Sequence, residues 1–339
     1  MTEAGPILIV GPSWVGDMVM AHSLCQLLQQ HAPERAIDML APPWSLPIVE
    51  RMQGVRRGIA LDLKHGELGL GVRRRLGHSL REQRYARAIV LPRSAKAALV
   101  PWHANIAQRT GFKGEMRFGL LNDIRPYDRT VLDQTVKRFA ALAPATHGEL
   151  PETLPAPVLQ KDTAALDAAL TVFDLSADQP IVGLLPGAEY GPAKCWPLPK
   201  FATLARALIA SGVQVGIFGG PNDRAAGATI SEAAPGVTNL VGETSLAQVV
   251  DLLSACTAVV SNDSGLMHVA AAVGTHVVAV YGSSSPAMTP PLTERADVHY
   301  LQLSCSPCFK RECPLEHLNC LHQIDVDPVL NSVRAVLAG

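Results

Sequence analysis

Three stretches of the chain set ionisable side chains among glycines and small hydroxylated residues, a combination suited to phosphate and sugar chemistry. The first is Gly11-Pro12-Ser13-Trp14-Val15-Gly16-Asp17. It matches neither the dinucleotide fingerprint nor the P-loop, because no Lys-Ser/Thr follows its second glycine. A carboxylate here could take a proton from an acceptor hydroxyl. From spacing alone, a helix cap or first-turn acid, worth about 1 kcal/mol, is the stronger reading of Asp17. The second stretch runs from Pro186 through Gly187, Ala188, Glu189, Tyr190 and Gly191 to Lys194-Cys195-Trp196. Its small residues leave room for a diphosphate beside Gly187 and Glu189, and Lys194 can neutralise charge growing on a leaving group. Gly219, in Gly219-Gly220-Pro221, either shapes a nucleotide pocket or makes a tight turn.

The third stretch, Ser261-Asn262-Asp263-Ser264-Gly265, lies between two apolar runs and opens a helix that carries His268. It reads as strand, polar turn, helix, strand and a closing small-residue turn, Gly282-Ser283-Ser284-Ser285. In a parallel sheet such turns lie at the carboxyl ends of strands, where doubly wound folds bind ligands. The helix start favours an anion. Asp263 repels phosphate, so it suits sugar hydroxyls or the N–H groups of its own turn. His268 falls one turn from Ser264, where it contacts a ligand or packs. Together these features read as a nucleotide-sugar site.

The tail holds Cys305, Cys308, Cys313 and Cys320, with His317 and His322 nearby. So dense a set in a cytosolic chain does not suggest a disulfide framework. A structural zinc site and a group of reduced, partly buried thiols stand as equal readings, since the spacing is not that of paired C-x2-C motifs.

The elements that must position these residues alternate between strand and helix. Ile7 to Val10, Ala36 to Leu40 and Ala88 to Leu91 read as strands, and Met18 to Leu28 has helical spacing. After the proline-rich stretch His147–Pro157 the pattern restarts, with strands at Ile181 to Leu185 and Gln214 to Phe218 and helices at Leu198 to Ile209 and Leu246 to Ser254. The pattern predicts an α/β protein: two α/β/α domains with parallel sheets, residues 1–160 and 161–339, facing a central cleft. The last helix is expected to pack back on the first domain.

The 339 residues, 48% hydrophobic and 17% charged, suit two well-buried domains. No apolar run approaches the roughly 20 residues that span a bilayer, and the start of the chain reads as a first strand. The net charge of −1 hides an asymmetry: residues 1–150 balance to +7 and residues 151–339 to −8. The basic half therefore faces an anionic partner. The run from Arg73 to Arg87 reads as a solvated helix face, and no nucleic-acid motif accompanies it.

Taken together, GPSWVGDMVMAHSL, LLPGAEYGPAKCWP, SNDSGLMHVAAAVGT and CSPCFKRECPLEHLNCL resemble the lipopolysaccharide heptosyltransferases, and RTGFKGEMRFGLLND is also similar. The cysteine-rich tail and the PSWVGD form resemble the members that add the second heptose. The resemblance implies a GT-B fold with two Rossmann-like domains. It implies inverting transfer of heptose from ADP-heptose to the first heptose of the inner core, at the cytoplasmic face of the inner membrane. Asp17 then matches the proposed base, Lys194 the residue that stabilises the diphosphate, and Asp263, Ser264, Gly265 and His268 the donor motif. No metal is expected in catalysis. Ser13, Trp14, Arg56, Arg57, Lys64, Arg93 and Lys96 are expected to meet the lipid A inner-core acceptor, with peripheral membrane contact and a monomeric state. The competing readings are a first-heptose enzyme acting on Kdo2-lipid A, a nucleotide-sugar epimerase, and a sugar-nucleotide-binding protein without catalysis.

Overall fold

The computed structural model describes residues 5–64, 66–144 and 150–339. His147, Gly148 and Glu149 of the expected linker lie outside the described residues. The chain forms two units, Met1–Pro157 and Val158–Gly339, against the 160/161 boundary read from the prolines.

In the first unit six strands run parallel: β1 (Ile7–Val10), β2 (Ile37–Ala41), β3 (Val55–Ala60), β4 (Arg87–Val90), β5 (Gln108–Phe112) and β6 (Asp123–Arg125), in the order β3-β2-β1-β4-β5-β6. The second unit holds β7 (Ile181–Leu185), β8 (Gln214–Ile217), β9 (Thr238–Asn239), β10 (Ala258–Asn262), β11 (His276–Val280) and β12 (Ala296–His299), in the order β12-β11-β10-β7-β8-β9. Read from its other edge, the second sheet repeats the first: third, second, first, fourth, fifth, sixth. This is the doubly wound order, in which the first and fourth strands are neighbours and the crevice at their carboxyl ends takes ligands.

The central strands β1, β2, β4, β7 and β10 are buried along their whole length, as parallel sheets covered on both faces require. Register is regular there: Val10 pairs with Val90, and Ser261 with Leu185. The second unit's core centres on Trp196, which meets Phe201 edge to face at 5.1 Å and donates its indole N–H to Ile324 O at 3.0 Å. The last helix, Val326–Leu337, was expected on the first domain. It buries Val329, Leu330 and Val333 in the second unit's own core, its apolar stripe packed against β10, β11 and the helix Leu198–Ile209.

Candidate active site

In the second unit the turns after β7 and β10 meet at the switch point. Asn262, the last residue of β10, is buried and ties them together. Its side-chain amide donates to Pro186 O at 2.6 Å, and its Oδ1 accepts from the Trp196 N–H at 2.9 Å. Between these anchors the chain passes through Gly191, where an added Cβ would lie 2.6 Å from the Arg311 carbonyl oxygen. A short helical turn, Pro192–Lys194, then delivers Lys194. Its Nζ lies 2.6 Å from Asp263 Oδ2, with side chains 18% and 5% exposed. The Thr289 hydroxyl donates to the same oxygen at 3.4 Å, and the Lys194 ammonium sits 5.3 Å from the Tyr190 ring centre.

Ser264 caps the helix Gly265–Ala272 by accepting from the Met267 N–H at 3.4 Å. On that helix His268 is buried, and burial lowers its pKa to about 4, with Asp263 pulling it up and Lys194 pushing it down. The imidazole is therefore neutral at pH 7. Its Nδ1 has no hydrogen-bond partner, and neither do the buried hydroxyls of Ser283 and Ser284 in the turn after β11. A buried polar atom left unpaired costs about 1–3 kcal/mol, so these three atoms can accept partners that a polar ligand would supply.

Two expected donor glycines serve a neighbour that the sequence reading missed. A Cβ at Gly187 would lie 2.4 Å from Asp223 Oδ1, and one at Gly219 would lie 2.9 Å from Asp223 Cβ. The room beside them thus belongs to a carboxyl group and not to a phosphate. Burial raises the Asp223 pKa, Glu189 raises it further, and the Gly220 N–H, donating at 2.9 Å, opposes the rise. Such a carboxylate suits the hydroxyls of a ribose.

In the first unit, β1 runs into Gly11 and then the helix Val15–His31. Trp14 is its N-cap residue and makes no side-chain cap, so Asp17 sits inside the first turn, half-buried, where the helix dipole favours its charge. Ser13 and Trp14 are exposed beside it. At the carboxyl end of the same sheet, Arg93 and Lys113 line a cavity of about 630 Å³ with Tyr127, and the Arg93 guanidinium stacks 4.7 Å from that ring. Buried Arg117 braces this edge by donating to Pro92 O at 2.7 Å and to Phe112 O. Lys96 Nζ donates to Glu67 O at 3.3 Å, and the Lys64 N–H to Glu67 Oε2 at 3.1 Å, so both lysines flank the loop after β3.

Arg56 and Arg57 lie elsewhere, which corrects their expected acceptor role. Both clasp Asp38, the second residue of β2, at the amino end of the strands. Arg56 donates at 2.7 and 2.6 Å and Arg57 at 3.0 Å, and the Tyr85 hydroxyl completes the set. Burial would raise the Asp38 pKa, but these donors hold it below its ordinary range. Local sequence does not say at which end of a strand a side chain sits.

The four tail cysteines are free thiols, Cys320 buried and the others half-buried. Burial first, and then the nearness of Cys305, Cys308 and Cys313, raises the Cys320 thiol. Among the described residues no group of three or more His, Cys, Asp or Glu is arranged to hold a metal ion.

With this geometry in place, comparison with known proteins gives a consistent answer. The model of glycosyltransferase family 9 (heptosyltransferase) matches residues 73–319. The chain is 49% identical to lipopolysaccharide heptosyltransferase 2 of Salmonella typhimurium and 46% identical to that of Escherichia coli, with 98% of each chain covered in both cases. The solved structure of E. coli ADP-heptose LPS heptosyltransferase II superposes with a TM-score of 0.87 at 44% identity, again over 98% of both chains.

Proposed function

The chain belongs to glycosyltransferase family 9, and from that premise we propose that it moves L-glycero-D-manno-heptose from ADP-heptose to the first heptose of the lipopolysaccharide inner core. Its two parallel sheets are the GT-B architecture. The observation that carries the chemistry is the Lys194–Asp263 pair at the second unit's switch point.

A diphosphate entering that crevice competes for the Lys194 ammonium, and the released Asp263 carboxylate accepts hydrogen bonds from sugar hydroxyls. The unpaired Ser283, Ser284 and His268 atoms offer further partners. Asp17 takes the proton of the acceptor hydroxyl, whose oxygen attacks the anomeric carbon. The bond from that carbon to the phosphate oxygen breaks on the opposite face, its electron pair leaves with ADP, and configuration inverts. Lys194 neutralises the departing charge, so a positioned ammonium serves where other enzymes use a divalent ion.

The acceptor's phosphates and carboxylates match Arg93, Lys96, Lys64 and Lys113 at the first unit's carboxyl edge. Because that acceptor is lipid-linked, the enzyme works peripherally at the cytoplasmic face of the inner membrane. Among the described residues no helix is long and apolar enough to cross a membrane.

Mass spectrometry after incubation with ADP-heptose and mono-heptosylated Kdo2-lipid A tests the reading. Gain of one heptose, with none on the heptose-free acceptor, supports it. Transfer only to the heptose-free acceptor makes this a first-heptose enzyme, and no transfer to either removes the proposal.

A further inference from the structure

The basic run of the first unit divides in a way the proposed reaction does not use. Arg73 and Arg87 are buried and spent on the fold: Arg73 Nε donates to Leu68 O at 2.7 Å, and Arg87 donates to the Leu142 and Ala143 carbonyls at 2.7 and 2.8 Å. Arg74 and Arg81 instead line a cavity of about 530 Å³ with His78, Trp102, His103 and Arg109. Arg81 precedes β4 and Arg109 is the second residue of β5, so this cavity lies towards the amino ends of the strands, away from the Arg93 edge.

Its walls are the helix Leu70–Ser79 and the short helix Leu99–His103. Gly77 sets their spacing, since a Cβ there would lie 2.4 Å from His103 Cβ and 2.8 Å from Val100 O. The His78 and His103 rings meet edge-on at 5.8 Å, and Trp102 meets His103 at 4.8 Å. Arg81 Nε donates to His103 O at 2.9 Å, which fixes one guanidinium at the rim. No carboxylate lines the cavity. Both imidazoles are held below their ordinary range, by desolvation first and then by the surrounding positive charge. The field is therefore uncompensated, and an anion is what would relieve it.

We infer that this cavity is a docking site for the phosphodiester headgroups of an anionic lipid surface. The inference rests on the lipid-linked acceptor proposed above, which brings the enzyme to such a surface. The Arg74 and Arg81 guanidiniums complement phosphate oxygens in charge and geometry, while Arg109, held by the Leu120, Ile106 and Gly119 carbonyls, adds positive charge behind them, and no carboxylate offsets the three. Trp102 is 46% exposed at the same place, and an indole with one apolar and one polar edge belongs at a membrane–water boundary. Leu70, Arg74, His78 and Arg81 succeed one another at helical spacing, and Leu70 is exposed, so an apolar residue extends the basic face. Docking through this face would leave the carboxyl edges of the sheets to the reaction.

Co-sedimentation of the full-length protein with vesicles tests this. Wild type should pellet with phosphatidylcholine vesicles containing phosphatidylglycerol, not with phosphatidylcholine alone, and should be released by salt. Arg74→Glu should lower the apparent affinity about ten-fold or more. Arg75→Glu makes the same charge change outside the cavity lining and should lose far less. Both variants should match wild type in transfer to a lipid-free acceptor saccharide, which controls for folding. The site is overturned if wild type ignores anionic vesicles, if neutral vesicles bind it equally, or if the two variants behave alike. Because vesicle binding is read without turnover, a protein that pellets but transfers nothing sinks the proposed reaction and not the docking site.

Discussion

The two switch points share one strand order and differ in almost everything else. In the second unit, β7 and β10 end in turns locked by Asn262, and the charged pair behind them is closed: Lys194 and Asp263 are in contact, largely buried, with Thr289 and Tyr190 around them. In the first unit, beyond the carboxyl ends of β1 and β4, Asp17 is half-buried in a helix turn and Arg93 and Lys113 border a cavity of about 630 Å³. A diphosphate with one sugar is a small ligand of constant shape, so a rigid set of groups can be aimed at it in advance. A branched, phosphorylated lipid saccharide is large and variable, and a field of long cations serves it better. On the proposed reading, one strand order would carry two kinds of recognition.

If that contrast is right, the largest effect should come from the group that moves a proton. Asp17→Asn keeps size and helix position but removes the base, and turnover should fall about a thousand-fold. Calorimetric affinity for ADP-heptose should stay within two-fold, because the proposed donor groups are all in the second unit. A variant turning over at near-wild-type rates would remove Asp17 from the mechanism. Next in size is Lys194→Met, expected to lower kcat about a hundred-fold through loss of leaving-group neutralisation. Unlike the Asp17 variant, it should also weaken ADP binding, and it should lower the melting temperature, since it strands a buried Asp263 carboxylate. Unchanged ADP affinity in this variant would show that the ion pair is structural only.

How far these roles could be read beforehand follows the distance over which each was built. The strands Ile181–Leu185 and Ile7–Val10 and the helix Leu198–Ile209 were legible because each is a continuous run with one period. The short edge strands β6 and β9 carry three and two residues and leave no period to detect. Asp17, Lys194 and Asp263 stood out as charges in small-residue turns. Asn262 and Asp223 did not: Asn262 ties in Pro186 from 76 residues away, and Asp223, besides its local bond to Gly220, fills the space beside Gly187 on a separate turn. Arg56 and Arg57 stood out for the wrong reason. Charge was visible in the sequence, but the Asp38 that neutralises them is 18 and 19 residues away, across a strand pairing that local pattern does not reveal.

The first unit's own two clusters of arginine give a smaller and sharper test. Arg93→Glu should raise the acceptor KM about ten-fold while leaving the donor KM alone, as charge reversal at a phosphate-facing cation does. Arg56→Glu should leave the acceptor KM unchanged. Equal effects from the two would mean that the amino-end arginines also meet the acceptor, and the division drawn here between the two ends of the sheet would fail.

The least effect on turnover, and the clearest on stability, belongs to Asp38→Asn. Its carboxylate has a folded pKa below the unfolded value near 4, so its contribution to stability is present above that value and is lost as pH falls through the folded one. The side chain is buried, but Arg56 and Arg57 are 43% and 45% exposed, so solvent screening reduces the loss to about 1–3 kcal/mol at pH 7. The gap in melting temperature between wild type and variant should therefore be full at pH 7 and close as the pH drops below 4. Transfer at pH 7, measured well below the transition, should stay within two-fold of wild type. A gap independent of pH would mean that the variant fails through packing, and a collapse of turnover would move Asp38 from the scaffold into the site.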